Sequence, residues 1–319
     1  MVLNNSLLFS ILIPAYKREF LSEAIESCLS QTYKQFEIII VDDNSPEDLL
    51  SIVRPYLNDE RIHYYRNTKN CGAINVVDNW NICLNYSKGD FVICMGDDDR
   101  LLPCCLNEYA HLINDYPDIN VLHGWTEIID EKGDFLRITV PRPEWEDVYS
   151  VIWNRWLWRA DQFIGDWCFR RELLFKSGGF VKFPLAWGSD DVTAVMCANN
   201  GGVVNTNKIC FQYRVNNSTI TNSSNAIHKM EAIVEQRQWF DEFLSIVPQN
   251  ELSQKYYKDI KSKVHTHWDK MFGYVIEKEI QQSPFNILKW IRNRQKYKYS
   301  MKSVFYAIER SIVSYRRNR

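Results

Sequence analysis

Short apolar runs alternate with amphipathic segments through the first third of the chain. The runs predict strands at residues 9–13, 36–41, 61–65 and 91–95. Strands that are apolar on both faces suit a sheet covered by helices on both sides. Helical periodicity places Leu21, Ile25 and Leu29 on one face between the first two strands, and a second helix is predicted at 75–86. Ser45 followed by Pro46 predicts the capped start of a helix after the second strand.

This alternation predicts an α/β fold with a mostly parallel, doubly wound sheet. From about residue 119 the pattern changes to short strand-like pieces, tryptophan-rich stretches and turns. From residue 225 onward it becomes helical. We therefore expect a first domain at 1–222, divided near residue 118, and a helical C-terminal region at 223–319.

Composition favours a folded protein from a reducing compartment. Apolar residues make up 45% of the 319 residues, which is enough for a sizeable core. The nine cysteines form no CxxC pair, so buried thiols are expected in place of disulfides or a zinc site. Residues 7–15 lack a preceding basic segment and are interpreted as the first strand, not a signal peptide. A cytoplasmic location is therefore predicted.

Charge is concentrated at the C-terminal end of the chain. The net charge is −2, yet residues 285–319 carry ten Lys or Arg and a single acid, Glu309. This segment is therefore +9 and the remainder is −11. Aromatic and aliphatic residues, among them Trp290, Tyr297 and Tyr299, are interleaved with the cations, which is typical of a helical segment that binds an anionic membrane. A solvated helical face and nucleic-acid binding are the alternatives, and the absence of a readable nucleic-acid module disfavours the latter.

Acidic residues follow two of the predicted strands. Asp97, Asp98 and Asp99 come after the fourth strand, and Asp42 and Asp43 come after the second. An acidic loop at a strand end is common, so the triplet alone decides nothing. However, ligands of such sheets bind where the carboxyl ends of the strands meet. Clustered carboxylates are costly without a cation, which favours a divalent metal that also holds a diphosphate.

An ordered set of motifs resembles the family 2 glycosyltransferases of the GT-A fold. The motifs are SILIPAYKR at 10–18, SQTY at 30–33, FEIIIVDDNS at 36–45, NWN at 79–81, KGDF at 88–91, GGF at 178–180, the aspartates at 190–191, and YRV at 213–215. The resemblance covers roughly residues 8–222. No single motif is specific, whereas the ordered set is.

The resemblance implies a GT-A fold, a Rossmann-like mostly parallel sheet flanked by helices, with a helical C-terminal extension. It also implies an inverting, metal-dependent transfer of a sugar from a nucleotide diphosphate to a glycan hydroxyl. Residues 1–118 would bind the nucleotide sugar and residues 119–222 the acceptor. UDP is favoured because Asp43 could accept the N3–H of uracil, although family members also use GDP- and dTDP-sugars.

The resemblance also implies roles on the donor side. Tyr16 would stack on the base, and Asp98, counted back from Pro103, would bind Mn²⁺ or Mg²⁺ with support from Asp99. Gly96 departs from the family, which more often has an aspartate at this position. The predicted nucleotide-sugar-binding residues are Pro14, Ala15, Tyr16, Arg18, Asp43, Asp97 and Arg214.

Inversion requires a base opposite the leaving group, and Asp191 matches the family position for that base. Asp190 stands where most members have glutamate, and we expect it to orient the loop or the acceptor. Both acids could equally cap a helix that starts near Val192. The remaining acceptor-side candidates are Trp187, Asp166 and Trp158, with apolar packing as the alternative for the tryptophans.

The expected partners are a nucleotide-diphospho-sugar and a glycan acceptor linked to polyprenyl diphosphate, as in surface polysaccharide synthesis. We expect a peripheral enzyme at the inner face of the plasma membrane, held by its C-terminal segment, with no nucleic-acid partner. A non-catalytic nucleotide-sugar-binding module is the first alternative. A sugar-nucleotide pyrophosphorylase is disfavoured because the loop at 14–18 contains no glycine to hold a triphosphate.

Overall fold

The computed structural model describes residues 7–216 and 225–317. The chain forms two compact units. The first comprises Met1–Lys182 and Ser189–Thr219, and the second comprises Phe183–Gly188 and Ile220–Arg319. The predicted domain boundary at residues 222 and 223 lies outside the described residues.

The first unit contains one sheet and seven α-helices among its described residues. Its strands are β1 (Phe9–Ala15), β2 (Phe36–Asp42), β3 (Ile62–Arg66), β4 (Phe91–Cys94), β5 (Arg100–Leu101), β6 (Val121–Ile129), β7 (Phe135–Ile138), β8 (Trp145–Glu146), β9 (Trp167–Arg170) and β10 (Val203–Arg214). Its helices are α1 (Leu21–Leu29), α2 (Leu49–Val53), α3 (Val76–Tyr86), α4 (Cys105–Asp115), α5 (Val148–Trp156), α6 (Arg171–Lys176) and α7 (Ser189–Ala198).

The sheet has the order β3-β2-β1-β4-β9-β6-β10-β5, with β7 beside β6 and β8 beside β10. Strands β3, β2, β1 and β4 are mutually parallel, so their carboxyl ends meet at one edge. Strand β9 runs antiparallel to both β4 and β6, and β10 is parallel to β6. The predicted α/β class with a mostly parallel sheet is confirmed.

The core forms on both faces of β1, β2 and β4 because most positions of these three strands are apolar and buried. Ile11 of β1 pairs with Ile38 of β2 and Ile93 of β4, and all three are fully buried. Leu21 and Ile25 of α1 pack on this layer, which confirms the stripe that their spacing predicted. Each buried side chain of this kind contributes roughly 1.5–3 kcal/mol.

The start of α2 differs from the prediction. The cap is Asp48, whose carboxylate accepts the N–H of Ser51 at 3.1 Å, and not Ser45. The hydroxyl of Ser45 donates to the carbonyl oxygen of Tyr16 at 2.6 Å. Ser45 therefore ties the loop after β2 to the loop after β1, a tertiary contact that local sequence does not report.

The second unit is helical within its described residues. It contains α8 (Ala226–Phe243), α9 (Glu251–Gln282), α10 (Asn286–Tyr297) and α11 (Met301–Arg317). Of the aromatic residues predicted to face a surface partner, Trp290, Tyr297 and Tyr299 are buried in this unit instead. Phe285 remains 81% exposed. None of the described helices combines the length and the apolar character needed to cross a membrane.

Candidate active site

The aspartate triplet lies directly after β4, at the edge where the parallel strands end. Asp97 accepts the backbone N–H groups of Tyr16 and Lys17, each at 2.7 Å. Burial, and then the neighbouring charge of Asp98, raise the pKa of Asp97 to about 6. Asp97 thus fixes the loop after β1 against the end of β4, and it is a buried member of the triplet.

Asp98 is the most accessible member of the triplet. One carboxylate oxygen accepts an N–H of the Asn216 amide at 2.7 Å and lies 3.7 Å from the Lys17 ammonium. Its other oxygen, Oδ1, lies 2.9 Å from the point that a Cβ of Gly96 would occupy. Neither Lys17 nor Asn216 was predicted as a site residue, because both are distant from Asp98 in sequence.

Arg214 is buried and donates hydrogen bonds to two residues of the triplet. Its backbone N–H donates to Asp99 at 2.9 Å, and its Nε–H donates to the carbonyl oxygen of Asp98 at 2.8 Å. The guanidinium also pairs with Glu23 and covers the ring of Phe20 at 4.0 Å. This side chain is only 1% exposed and holds the triplet through these bonds, and its predicted role in nucleotide-sugar binding stays a prediction.

The triplet fits a divalent cation. Asp98 Oδ1 and Asp99 Oδ2 each lie 2.9 Å from the point where a Cβ of Gly96 would stand, so the missing side chain leaves a gap bordered by two hard oxygens. Burial and the charge of Asp98 raise the pKa of Asp99, as expected for carboxylates that gain from a nearby cation. The described part of the chain has no group of three metal-ligand side chains. Mg²⁺ and similar ions often use one or two carboxylates plus phosphate oxygens.

The loop after β2 uses its two aspartates differently. Asp42 is fully buried and accepts from Tyr64, Arg66 and the N–H of Ser45, so it organises the loop. Asp43 accepts the N–H of Cys71 at 2.9 Å and an amide N–H of Asn67 at 2.8 Å. These bonds leave Asp43 with acceptor capacity at this edge, since an ionised carboxylate offers about four lone-pair sites.

The remaining donor-side candidates lie at the end of β1. The carbonyl oxygen of Ala15 accepts the N–H of Asp43 at 2.9 Å, which joins β1 to the loop after β2. Pro14 is half-buried in the same strand, and Tyr16 just beyond it is 43% exposed. The backbone N–H of Arg18 donates to Glu47 at 2.7 Å, and its side chain is exposed.

A second carboxylate pair occupies the first turn of α7. The side chain of Asp190 accepts the N–H of Asp191 at 2.9 Å. Burial, and then the charge of Asp191, raise the pKa of Asp190 to about 7. Asp191 Oδ2 accepts the Nε–H of Arg155 at 2.9 Å, whereas its buried Oδ1 has no hydrogen-bond partner among the described residues. Asp191 therefore combines one anchored oxygen with one unsatisfied oxygen.

Tyr213 relates the two acidic sites. Tyr213 is the residue before Arg214 at the end of strand β10, and its ring stacks on that of Phe163 with the ring centroids 4.0 Å apart. Burial raises the pKa of the Tyr213 phenol, and the charges of Asp99, Asp98 and Asp190 raise it further. Asp98 and Asp99 of the triplet and Asp190 of α7 therefore act electrostatically on the same hydroxyl, although they are some ninety residues apart in sequence.

The other acceptor-side candidates differ from one another in burial and in hydrogen-bond partners. Asp166 is fully buried and accepts from the Thr126 hydroxyl at 2.9 Å and from the N–H of Phe163, and its predicted place on the acceptor side stays a prediction. Trp158 is 53% exposed and has a left-handed backbone with φ of 59°. Trp187 belongs to the second unit, where its carbonyl oxygen accepts from Gln236 at 2.6 Å and Lys229 lies 4.7 Å above its ring.

This architecture is the GT-A fold. A structure of Staphylococcus aureus TarS residues 1–349 with UDP-GlcNAc aligns with a TM-score of 0.63 and 16% identity, covering 98% of this chain and 92% of that one. The mannosyltransferase PcManGT from Pyrobaculum calidifontis, in complex with GDP-Man and Mn²⁺, aligns with a TM-score of 0.55 and 15% identity, covering 95% and 86%. At such identities the likeness concerns the fold.

Sequence comparison establishes the family. The model of "Glycosyl transferase family 2" matches residues 10–179, and the chain belongs to that family. It is 33% identical over 141 residues to an uncharacterized glycosyltransferase of Rickettsia typhi, covering 42% of this chain and 41% of that protein. It is 36% identical over 108 residues to the GalNAc(5)-diNAcBac-PP-undecaprenol beta-1,3-glucosyltransferase of Campylobacter jejuni, covering 33% and 34%. The chain thus matches less than half the length of these relatives.

Proposed function

We propose that this protein is an inverting, metal-dependent glycosyltransferase that moves a sugar from a nucleotide diphosphate to a hydroxyl of a glycan. One observation carries the proposal: Asp98 and Asp99, which border the gap at Gly96, and Asp190, the neighbour of a carboxylate with an unsatisfied oxygen, all act on the partly buried Tyr213 hydroxyl. A leaving-group site and a base site therefore belong to one region of the first unit.

The donor side supplies three chemical functions. Asp98 and Asp99 would hold Mn²⁺ or Mg²⁺, which stabilises the negative charge that a diphosphate gains as it leaves. The exposed ring of Tyr16 offers a flat face for a nucleotide base. Asp43 offers an acceptor for the N3–H of uracil, and for this reason we propose a UDP-sugar as donor.

The acceptor side supplies the base. Asp191 Oδ1 would accept the proton of an acceptor hydroxyl as that oxygen attacks the anomeric carbon. The bond to the diphosphate breaks on the opposite face, so the anomeric configuration inverts. The Campylobacter relative is a GalNAc(5)-diNAcBac-PP-undecaprenol beta-1,3-glucosyltransferase, which supports a glycan acceptor on polyprenyl diphosphate for this protein.

A donor screen tests the proposed reaction. We expect the protein to release UDP from UDP-GlcNAc or UDP-glucose when MnCl₂ and a polyprenyl-diphosphate-linked saccharide are present, and to release none in EDTA. GDP-mannose and dTDP-glucose serve as matched donors that test the base preference. UDP binding by calorimetry without turnover of any donor would favour a non-catalytic module, and equal rates in EDTA would contradict the metal requirement.

An anionic membrane surface is the proposed partner of the second unit. Phe285, which precedes α10, and Leu288 and Ile291 within it recur at three-residue spacing and are all at least 40% exposed. Lys289 and Arg292 lie beside them and are exposed. Each such cation near an anionic bilayer contributes about 1 kcal/mol, and the exposed apolar side chains would enter the headgroup region.

Point substitutions test this surface better than truncation, because Trp290, Tyr297 and Tyr299 belong to the core of the unit. The triple variant Phe285→Ser, Leu288→Ser, Ile291→Ser should lose most sedimentation with phosphatidylglycerol-containing vesicles while keeping its melting temperature. The control is Ile246→Ser, Val247→Ser, which alters exposed apolar residues in a segment without charges. Equal vesicle binding by the triple variant and the wild type would contradict the proposal.

A further inference from the structure

Arg155 lies in the last turn of α5 and contacts the carboxylate that we propose as base. Its Nε–H donates to Asp191 Oδ2 at 2.9 Å. An Nη1–H of the same guanidinium donates to the carbonyl oxygen of Ala160 at 3.2 Å. The guanidinium is therefore held by the backbone on one side and holds the carboxylate on the other.

The turn after α5 is shaped to hold this guanidinium. The N–H of Trp158 donates to the carbonyl oxygen of Arg155, and the N–H of Arg159 donates to that of Asn154, both at 3.0 Å. Trp158 adopts a left-handed backbone, which lets the chain reverse direction so that Ala160 can reach Arg155. Since the backbone positions the arginine, it is the carboxylate of Asp191 that gains a defined orientation.

The orientation has a chemical consequence. With Oδ2 engaged by Arg155, the side-chain torsions of Asp191 are restricted and Oδ1 is left as the oxygen without a partner among the described residues. An arginine Nε–H is directional, and its charge-assisted bond is roughly twice as strong as a neutral one. A lysine at 155 would keep the charge without the fixed direction.

Several charged groups surround the pair and set its protonation. Arg155 of α5 lowers the pKa of Asp190, whereas Asp166, which precedes β9, raises it. Asp161, in the segment after α5, acts on Arg155, and Tyr213 of β10 is influenced by Asp190. Arg155 is the single cation among these groups, so it opposes the mutual repulsion of Asp190 and Asp191.

We propose that Arg155 is the positioning residue of the reaction: it orients Asp191 Oδ1 toward the acceptor hydroxyl, and its charge opposes the repulsion between the two carboxylates of the pair. The proposal rests on the transferase function proposed above. It assigns no substrate contact to Arg155 itself. It also links the turn that carries Trp158 to the base, since both the turn and Asp191 are bound to one guanidinium.

The test compares Arg155→Gln, Arg155→Lys and Arg61→Gln with the wild type, using nucleotide release from UDP-GlcNAc, UDP-glucose and GDP-mannose. Arg61 is a matched control because its side chain is about as exposed as that of Arg155 and forms an ion pair with Asp59 at 2.6 Å. We expect Arg155→Gln to lower kcat by about 10²-fold, the effect of a misplaced catalytic group, with the donor KM within twofold. The acidic limb of kcat/KM should move up by about one pH unit or more.

Arg155→Lys separates charge from direction. We expect its acidic limb to return near that of the wild type while kcat stays reduced, because the charge is restored and the directed Nε–H is not. Arg61→Gln should change neither quantity. An Arg155→Gln variant with wild-type kcat and an unmoved limb would overturn the proposal, even though the transferase function would stand.

Thermal melting judges the ion pair without relying on turnover. Asp190 keeps its proton to higher pH in the folded state than in the unfolded chain, so stability falls as pH rises toward about 7. Without Arg155 this fall should steepen between pH 5.5 and 8.5, and in Arg61→Gln it should not. If the wild type turned over no donor, the transferase proposal would fail, while an unchanged slope in Arg155→Gln would refute the role of Arg155 separately.

Discussion

Replacing Asp191 with asparagine is expected to lower kcat for sugar transfer by about 10³-fold, within the range for loss of a general base. The amide keeps the shape of the side chain and can still contact Arg155, but it cannot take the proton of the acceptor hydroxyl. Donor binding should be unchanged, since the aspartate triplet and Tyr16 remain intact. Initial rates of nucleotide release and the calorimetric affinity for UDP measure the two quantities.

The pH profile gives this prediction a second readout. The base must be ionised, and burial together with the charge of Asp191 places the pKa of Asp190 at about 7. The wild-type kcat/KM should therefore rise with pH through this value, as Asp190 beside the proposed base loses its proton. Asp59→Asn is the control, because it also removes a carboxylate that forms an ion pair with an arginine, here Arg61. Retention of more than a tenth of wild-type kcat in Asp191→Asn would show that another group is the base.

Replacing Asp98 with asparagine is expected to weaken metal binding and to lower kcat by about 10²-fold or more, since metal stabilisation of a leaving group is worth several kcal/mol. Asp98 Oδ1 borders the gap at Gly96, and the substitution removes the charge of this ligand. Excess Mn²⁺ should restore part of the activity. Titration of Mn²⁺ followed by electron paramagnetic resonance, with UDP present, reports binding without turnover.

Gly96→Ala offers an independent test of the same gap. A Cβ at this position would lie 2.9 Å from both Asp98 Oδ1 and Asp99 Oδ2, so one carboxylate must move. We expect weaker Mn²⁺ binding while affinity for UDP in EDTA stays unchanged. For Asp98→Asn, the variant Asp59→Asn again serves as the control for loss of a carboxylate. Wild-type Mn²⁺ affinity in both Asp98→Asn and Gly96→Ala would place the metal elsewhere.

Local pattern was sufficient for most of the sheet. The four parallel strands were predicted within about two residues at each end, because β1, β2 and β4 are mostly apolar and all four strands are bounded by polar turns. The start of α2 was misplaced, since Ser45 forms a tertiary hydrogen bond with the loop after β1. A side chain that can satisfy either a local or a distant group is not assigned by local sequence alone.

The roles of charged residues were harder to predict than their presence. Arg214 and Asp166 were predicted as substrate-binding residues; both are buried and hydrogen-bonded within the protein, and their roles toward substrate stay predictions. Arg155 carried no signal at all, because it lies thirty-six residues before its partner Asp191. Trp290 was predicted as a surface residue from its basic neighbours, and it is fully buried because its helix turns that face inward.

The sequence by itself determined the α/β class, the family, and the acidic residues that end the strands, because these follow from periodicity and from ordered motifs. Only the tertiary structure decided what each acid does: Asp97 fixes a loop, Asp98 and Asp99 border the gap at Gly96, and Asp191 is held by Arg155. The physical reason is that the behaviour of a carboxylate depends on burial and on nearby charges, and those neighbours come from distant parts of the chain.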